Sequence, residues 1–189
     1  MTKIVLEDGE KEIVDYLSKG RYDRARSRNA ETLPLNNTND KYFSDKTGLF
    51  AELALAKLTN VYPSQVFSPV CKTKDSGGDV GDIQYKGWSI DVKSTIHNNG
   101  VLWINKINNN IDLYAFFVVT ENEDNVTCEL KGVITGKNLH DKPKRTRQPQ
   151  FKYPCIYAEQ DELISWEEFK KNGFSIWYRD GWYTCHKGM

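Results

Sequence analysis

The sequence predicts an α/β domain with a mixed central β-sheet flanked by helices, and three stretches carry that prediction. Ile111 to Thr120, through Leu113-Tyr114-Ala115-Phe116-Phe117-Val118-Val119, is a nearly continuous apolar run, the pattern of a central strand covered on both faces. Asp82 to Lys93 reads as two alternating strands that reverse at Lys86-Gly87. Thr47 to Leu58 is a helix with an apolar face. A chain of 189 residues favours one domain with elaborations over two. We divide it into an N-terminal helix and loop (1–46), a core (47–136), and a basic loop with a C-terminal elaboration (137–189).

Taken in order, Gly9 to about Arg28 is helical, with Ile13, Val14 and Leu17 as its apolar stripe and Gly20 as a point of interruption. Arg21, Arg24 and Arg28 follow at helical spacing, a row that suits a solvated face and a phosphate-contacting surface equally. Glu31 to Lys46 reads as a loop, after which Ser44 or Asp45 caps the second helix, closed by Pro63. Within that helix Glu52 falls among Leu49, Leu55 and Ala56. An unpaired carboxylate on an apolar face costs several kcal/mol or takes up a proton, so Glu52 is expected to have a partner: a metal, a lysine or a set of hydrogen bonds.

Further along, Gln65 to Cys71 reads as a first strand, Asp82 to Tyr85 as a second and Trp88 to Thr95 as a third. Period-two alternation in the third puts Ser89, Asp91 and Lys93 on one face and Trp88, Ile90 and Val92 on the other. Asp82 and Gln84 share a face in the same way. Val101 to Ile104 is short and apolar, and Val126 to Ile134 alternates beside the central strand. Between Lys142 and Pro154 stand Lys142, Lys144, Arg145, Arg147 and Lys152 with Phe151 and Tyr153 and no acid, which suits either a solvated loop or a contact to phosphates and bases. Ser165 to Gly173 looks like a short capped helix, and Phe174 to Cys185 like an aromatic hairpin turning at Arg179-Asp180-Gly181.

Lys+Arg and Asp+Glu both number 26, so net charge is zero and a wholly basic nucleic-acid coat is excluded. Cys71, Cys128, Cys155 and Cys185 form no CxxC pair, which signals neither a zinc site nor a disulfide framework and favours reduced, buried thiols. The first eight residues turn acidic too soon for a signal peptide, and no apolar run reaches membrane-spanning length, so the cytoplasm is the expected compartment.

An acid followed two residues later by lysine occurs three times, at Asp91-Lys93, Glu129-Lys131 and Glu168-Lys170, so the tripeptide alone decides little. Glu168 lies in a helical stretch, where residues two apart do not face one another. Asp91-Lys93 differs from both others in having a glycine-led aspartate, Asp82, one hairpin earlier and a helical carboxylate, Glu52, before that. Over about Gly48 to Thr95 this constellation resembles the PD-(D/E)xK, or restriction-endonuclease-like, nuclease superfamily, and Gly78-Asp79-Val80-Gly81-Asp82-Ile83 is similar to its Mrr-type branch. Gly81 stands where the pattern has proline, which leaves Asp79 and Asp82 both open as the first acid.

The resemblance implies a restriction-endonuclease-like fold and a magnesium-dependent DNA endonuclease, with manganese able to substitute. Asp82 and Asp91, with the Val92 carbonyl, would hold the hard cation, Lys93 would orient water or stabilise the transition state, and Glu52 would support the metal. Asp79 is the alternative ligand and Gln84 a supporting neighbour, with Arg21, Arg24, Arg28, Lys144, Arg145 and Arg147 as candidate nucleic-acid contacts. DNA is the expected partner, with RNA as the second choice, and two-strand cutting would suit a homodimer. The rival expectation is a catalytically silent, phage-like module of the same fold that binds nucleic acid or a protein.

Overall fold

The computed structural model describes residues 2–27, 42–61, 81–123, 125–145 and 154–179. The strand expected at Gln65–Cys71 and the residues Asp79, Arg28 and Arg147 lie outside them, as does the end of the expected C-terminal hairpin.

The chain opens with β1 (Thr2–Leu6), which the sequence reading passed over because only Ile4 and Leu6 of its five residues are buried, between polar or exposed neighbours. Helix α1 (Asp8–Ser27) follows, with Asp8 and Glu10 in its first turn, where the helix dipole favours negative charge. It runs through Gly20 without a break, for a glycine inside a helix costs only about 1 kcal/mol, which packing on a neighbouring helix offsets.

Helix α2 (Phe43–Thr59) begins inside the expected loop, and its N-cap is Tyr42, which makes no side-chain capping bond, so neither Ser44 nor Asp45 plays that part. It stops at Asn60, which adopts the left-handed conformation (φ 53°, ψ 38°) and donates its backbone N–H toward the Ala56 and Lys57 carbonyls. Asparagine tolerates that conformation, so the helix is closed by Asn60 before the chain reaches Pro63. Leu49, Phe50, Ala51, Leu53, Ala54, Leu55 and Ala56 are all buried, which makes α2 a helix enclosed nearly all round rather than on one face.

Next come β2 (Ile83–Tyr85) and β3 (Trp88–Thr95), joined at Lys86 (φ 49°) and Gly87 (φ 85°). Two positive φ values in a two-residue loop match the right-handed twist of the flanking strands. Strands β4 (Leu102–Ile104), β5 (Leu113–Glu121) and β6 (Val126–Thr135) lead to the short helix α3 (Gly136–His140). Then β7 (Ile156–Ala158), a 3-10 turn (Gln160–Glu162) and α4 (Trp166–Arg179) close the described chain. Ser165 Oγ accepts the Glu168 N–H at 3.1 Å, the expected cap. The helix then continues to Arg179, which replaces the first arm of the expected aromatic hairpin. Trp166 and Phe169, one helical turn apart and both buried, anchor it against Tyr85 and Trp88, whose rings lie 5.9 and 5.1 Å away.

The main sheet has the order β1-β6-β5-β3-β2, with β3 and β5 parallel and every other pair antiparallel; β4 and β7 form a second, two-stranded sheet. As expected, β5 is central and buried on both faces. Leu113, Ala115, Phe117 and Val119 join Ile90, Val92 and the α2 side chains in one core, while Tyr114 and Phe116 join Leu102, Ile104 and Leu139 in another. The architecture is therefore a mixed α/β domain whose sheet separates two cores. No helix among the described residues is long and apolar enough to cross a membrane. Cys128 and Cys155 are both buried, and neither is in a disulfide.

Candidate active site

The site is assembled where the β2–β3 hairpin meets α2. Gly81 leads into it with φ 82°, and a Cβ there would stand 2.7 Å from Ser89 Oγ and 2.8 Å from the Ile90 carbonyl oxygen. A side chain is excluded at this position, because real Cβ atoms do not approach so closely and the left-handed φ is strained for them. The close approach is put to use: Asp82 N–H donates to the Ile90 carbonyl at 2.8 Å, and Asp82 Oδ2 accepts the Val92 N–H at 2.8 Å. The first acid is thus fastened to β3 by its main chain and its side chain together.

Asp91 is buried to 8% exposure and forms an ion pair with Lys93. The two share a face of β3, as the alternation predicts, and through the parallel pairing they stand beside Tyr114 and Phe116 of β5. Ile90 and Val92 face the α2 core instead. Gln84 is exposed on β2.

Glu52 is also 8% exposed, and its partner is Arg21. Both guanidinium nitrogens donate, Nη1 to Oε1 at 3.0 Å and Nη2 to Oε2 at 2.9 Å, the fork-to-fork geometry that makes such pairs strong. Burial works against the Arg21 charge, but the bonds to Glu52 and the nearby Asp82 and Asp45 outweigh it and hold the guanidinium above its ordinary value. The sequence demanded a metal, a lysine or hydrogen bonds for Glu52, and the partner is instead an arginine; Arg21 belongs to the row that suited a solvated face and a phosphate contact equally. The structure joins those two residues through the α1–α2 packing.

Charge at the site remains unbalanced. Burial, then the Glu52 and Asp91 carboxylates, push the Asp82 carboxyl up from an ordinary 3.8 to about 7, against the opposing pull of the Val92 N–H and Lys93. Asp45, at the start of α2, is likewise raised by burial, with Arg21 opposing. Among the described residues no three His, Cys, Asp or Glu side chains converge closely enough to hold a metal between them. What the hairpin offers a cation is two carboxylates, Asp82 and Asp91, and the main-chain carbonyl between them and Lys93.

The other two acid-x-lysine pairs are differently placed. Lys131 Nζ donates to Glu129 Oε1 at 2.8 Å within β6, and Lys170 pairs with Glu167 at 2.8 Å along α4 rather than with Glu168. Lys144 and Arg145 are exposed, and the Arg145 backbone pairs with Cys155 beside β7. Arg24 belongs to α1.

A cleft of about 560 Å³ opens on the Asp91–Lys93 face, lined also by Ser44 at the start of α2, by Trp103 of β4 and by Asn105 and Lys106. No pattern in the sequence announces it, since Trp103 and Lys106 belong to a short strand and its trailing loop with no motif of their own. Residues 3–130, more than half of the 189-residue chain, match the Family of unknown function (DUF5843). The chain belongs to that family. The matched DUF5843 span contains Arg21, Glu52, Asp82, Asp91 and Lys93, and ends before Lys144 and Arg145. No curated protein and no solved structure matches the chain.

Proposed function

We propose that this chain is a magnesium-dependent deoxyribonuclease, an endonuclease of restriction-endonuclease-like fold that hydrolyses phosphodiester bonds. The observation that carries the reading is the surplus negative charge at the hairpin. Half-buried Asp82 stands beside the buried Glu52 and Asp91 carboxylates, and desolvation, then those two charges, push its carboxyl up to about 7, although Arg21 and Lys93 are at hand. A pocket with that balance gains by taking a cation, and its oxygen donors are those a hard divalent ion prefers.

Asp82, Asp91 and the Val92 carbonyl would hold magnesium, or manganese in its place. When bound, such an ion lowers the pKa of water and neutralises charge on a phosphate oxygen. Lys93, beside Asp91, supplies a fixed positive charge where the phosphorane charge builds, and orients the attacking water. Asp82 is kept in place by the Val92 N–H. Glu52, held by both Arg21 nitrogens, acts through its negative charge on Asp82 and as an anchor for Arg21. Gly81 permits the close main-chain approach that puts Asp82 there.

The test is cleavage of plasmid and oligonucleotide DNA with magnesium or manganese by the folded chain and by Asp91→Ala. Activity that requires both the metal and Asp91 supports the proposal; a folded protein that cuts no DNA in either metal sinks it. One observation favours a second reading. Arg21 and Lys93 already neutralise Glu52 and Asp91 from within, as a catalytically silent module would require. That module would bind DNA in a salt-sensitive way, unchanged by Lys93→Ala, without cutting it.

A further inference from the structure

The cleft beside Asp91 and Lys93 contains groups that phosphodiester hydrolysis does not use. Its floor includes Tyr114 and Phe116, the β5 neighbours of Asp91 and Lys93 in the parallel register. Half-buried Trp103 lines it from β4, a strand fixed by its pairing with β7, where Trp103 stands across from Tyr157. Exposed Asn105 and Lys106 follow directly in the chain and line the same cleft.

These side chains divide the work of holding a nucleotide. An indole ring offers a stacking surface that accepts any base, an amide can bond a base edge, and an ammonium can pair with a phosphate. The volume of about 560 Å³ falls within the range of about 300–1,000 Å³ found for small-ligand clefts. It suits a nucleotide rather than a paired duplex. A base inside a helix is stacked and paired, and reaches such a cleft only by leaving the stack.

We propose that the cleft is a nucleotide subsite that receives one unstacked nucleotide beside the scissile phosphate, so that the substrate is single-stranded or frayed DNA rather than closed duplex. The inference rests on the nuclease reading, with Asp91 and Lys93 at the reacting phosphate and Trp103, Asn105 and Lys106 on the neighbouring nucleotide.

Binding is measured without cleavage, in EDTA, by the fluorescence anisotropy of a labelled ten-nucleotide oligo-dT and of a labelled hairpin duplex with a stem of the same length. The full chain is expected to bind oligo-dT more tightly. Trp103→Ala should weaken oligo-dT binding about tenfold and hairpin binding much less, and Trp103→Phe should restore most of the loss. Lys106→Ala should flatten the slope of log K against log salt for oligo-dT by about 0.7. Tighter binding of the hairpin, equal losses on both probes, or no loss with either Trp103→Ala or Lys106→Ala overturns the subsite. Should Trp103→Ala fail to fold, the Lys106→Ala slope on its exposed position decides alone. The two readings fail separately. Trp103-dependent binding of oligo-dT with no cleavage in magnesium removes the nuclease and keeps the subsite, whereas Asp91-dependent cleavage by a chain whose binding ignores Trp103 and Lys106 does the reverse.

Discussion

Asp91-Val92-Lys93 and Glu129-Leu130-Lys131 are the same chemical phrase on two strands of one sheet, separated by β5. In each the acid and the lysine pair with one another. Glu129 and Lys131 are 17% and 10% exposed at their side chains, so that pair is enclosed no less than the other. The difference lies in what else is near. Beside Asp91 stands Asp82, whose carboxyl is pushed to about 7 with Glu52 and Asp91 among the causes. An acid and a lysine in isolation cancel. Here Glu52 is matched by Arg21 and Asp91 by Lys93, so Asp82 is the carboxylate in surplus, and that surplus distinguishes a candidate site from an ion pair.

The comparison is broken most directly at the acids. Asp91→Ala and Asp82→Ala should each lower DNA cleavage by a factor of about 10³ or more, while Glu129→Ala leaves the rate within about twofold, measured as initial rates on one substrate. Equal losses at Asp91 and Glu129 would erase the distinction. One step smaller, Lys93→Ala should cost about 10²-fold in kcat with little change in KM, and Lys131→Ala should leave kcat alone.

A stability measurement tests the source of the surplus. Arg21→Gln leaves Glu52 buried without its cation. The expected loss is about 2 kcal/mol by urea denaturation, below the 3–5 kcal/mol typical of breaking a fully buried pair because Arg21 keeps 28% of its side-chain surface exposed. No loss would mean that solvent, not Arg21, balances Glu52.

The smallest effect is one of pH. Folded Asp82 holds its proton more tightly than an ordinary aspartate, so its contribution to stability is complete below about pH 4 and is lost as pH rises through about 7. Asp82→Asn should therefore raise Tm by a few degrees at pH 8 and leave it nearly unchanged at pH 4. Millimolar magnesium at pH 8 should raise the Tm of the parent chain and leave that of Asp82→Asn unmoved. A pH-independent Tm difference would place the mutational effect in packing instead of charge.

Much of the sheet could be read from the sequence, because β5 announces itself by seven consecutive buried positions from Leu113 to Val119, and the hairpin by alternation around Lys86-Gly87. The face shared by Asp91 and Lys93 followed from period two alone. What was illegible depends on partners far along the chain. β1 is a strand because β6 pairs with it, and β7 because β4 does; five and three residues are too short a run for either to declare itself. The end of α4 from Phe174 to Arg179 misled because large aromatics suit a strand as well as a helix; the helix begun at Trp166, as expected, simply continues through them. Glu52 could be singled out as misplaced, but a preference for carboxylate does not identify its arginine, since Arg21 comes from another helix, across the α1–α2 contact.

The bond from the Val92 N–H to the Asp82 side chain has one further consequence. β3 lies between β2 and β5, so Asp91 and Lys93 sit on a strand hydrogen-bonded into the sheet and move only when the sheet opens. Asp82 stands one residue before β2, held by the Ile90 carbonyl and by Val92. Its side chain can let go without unpairing a single strand. The Val92 amide proton then becomes a local clock: its exchange with solvent deuterium should run faster in Asp82→Ala than in the parent while the amides of β5 keep their pace, a direct reading of how often the hairpin presents a complete set of acids.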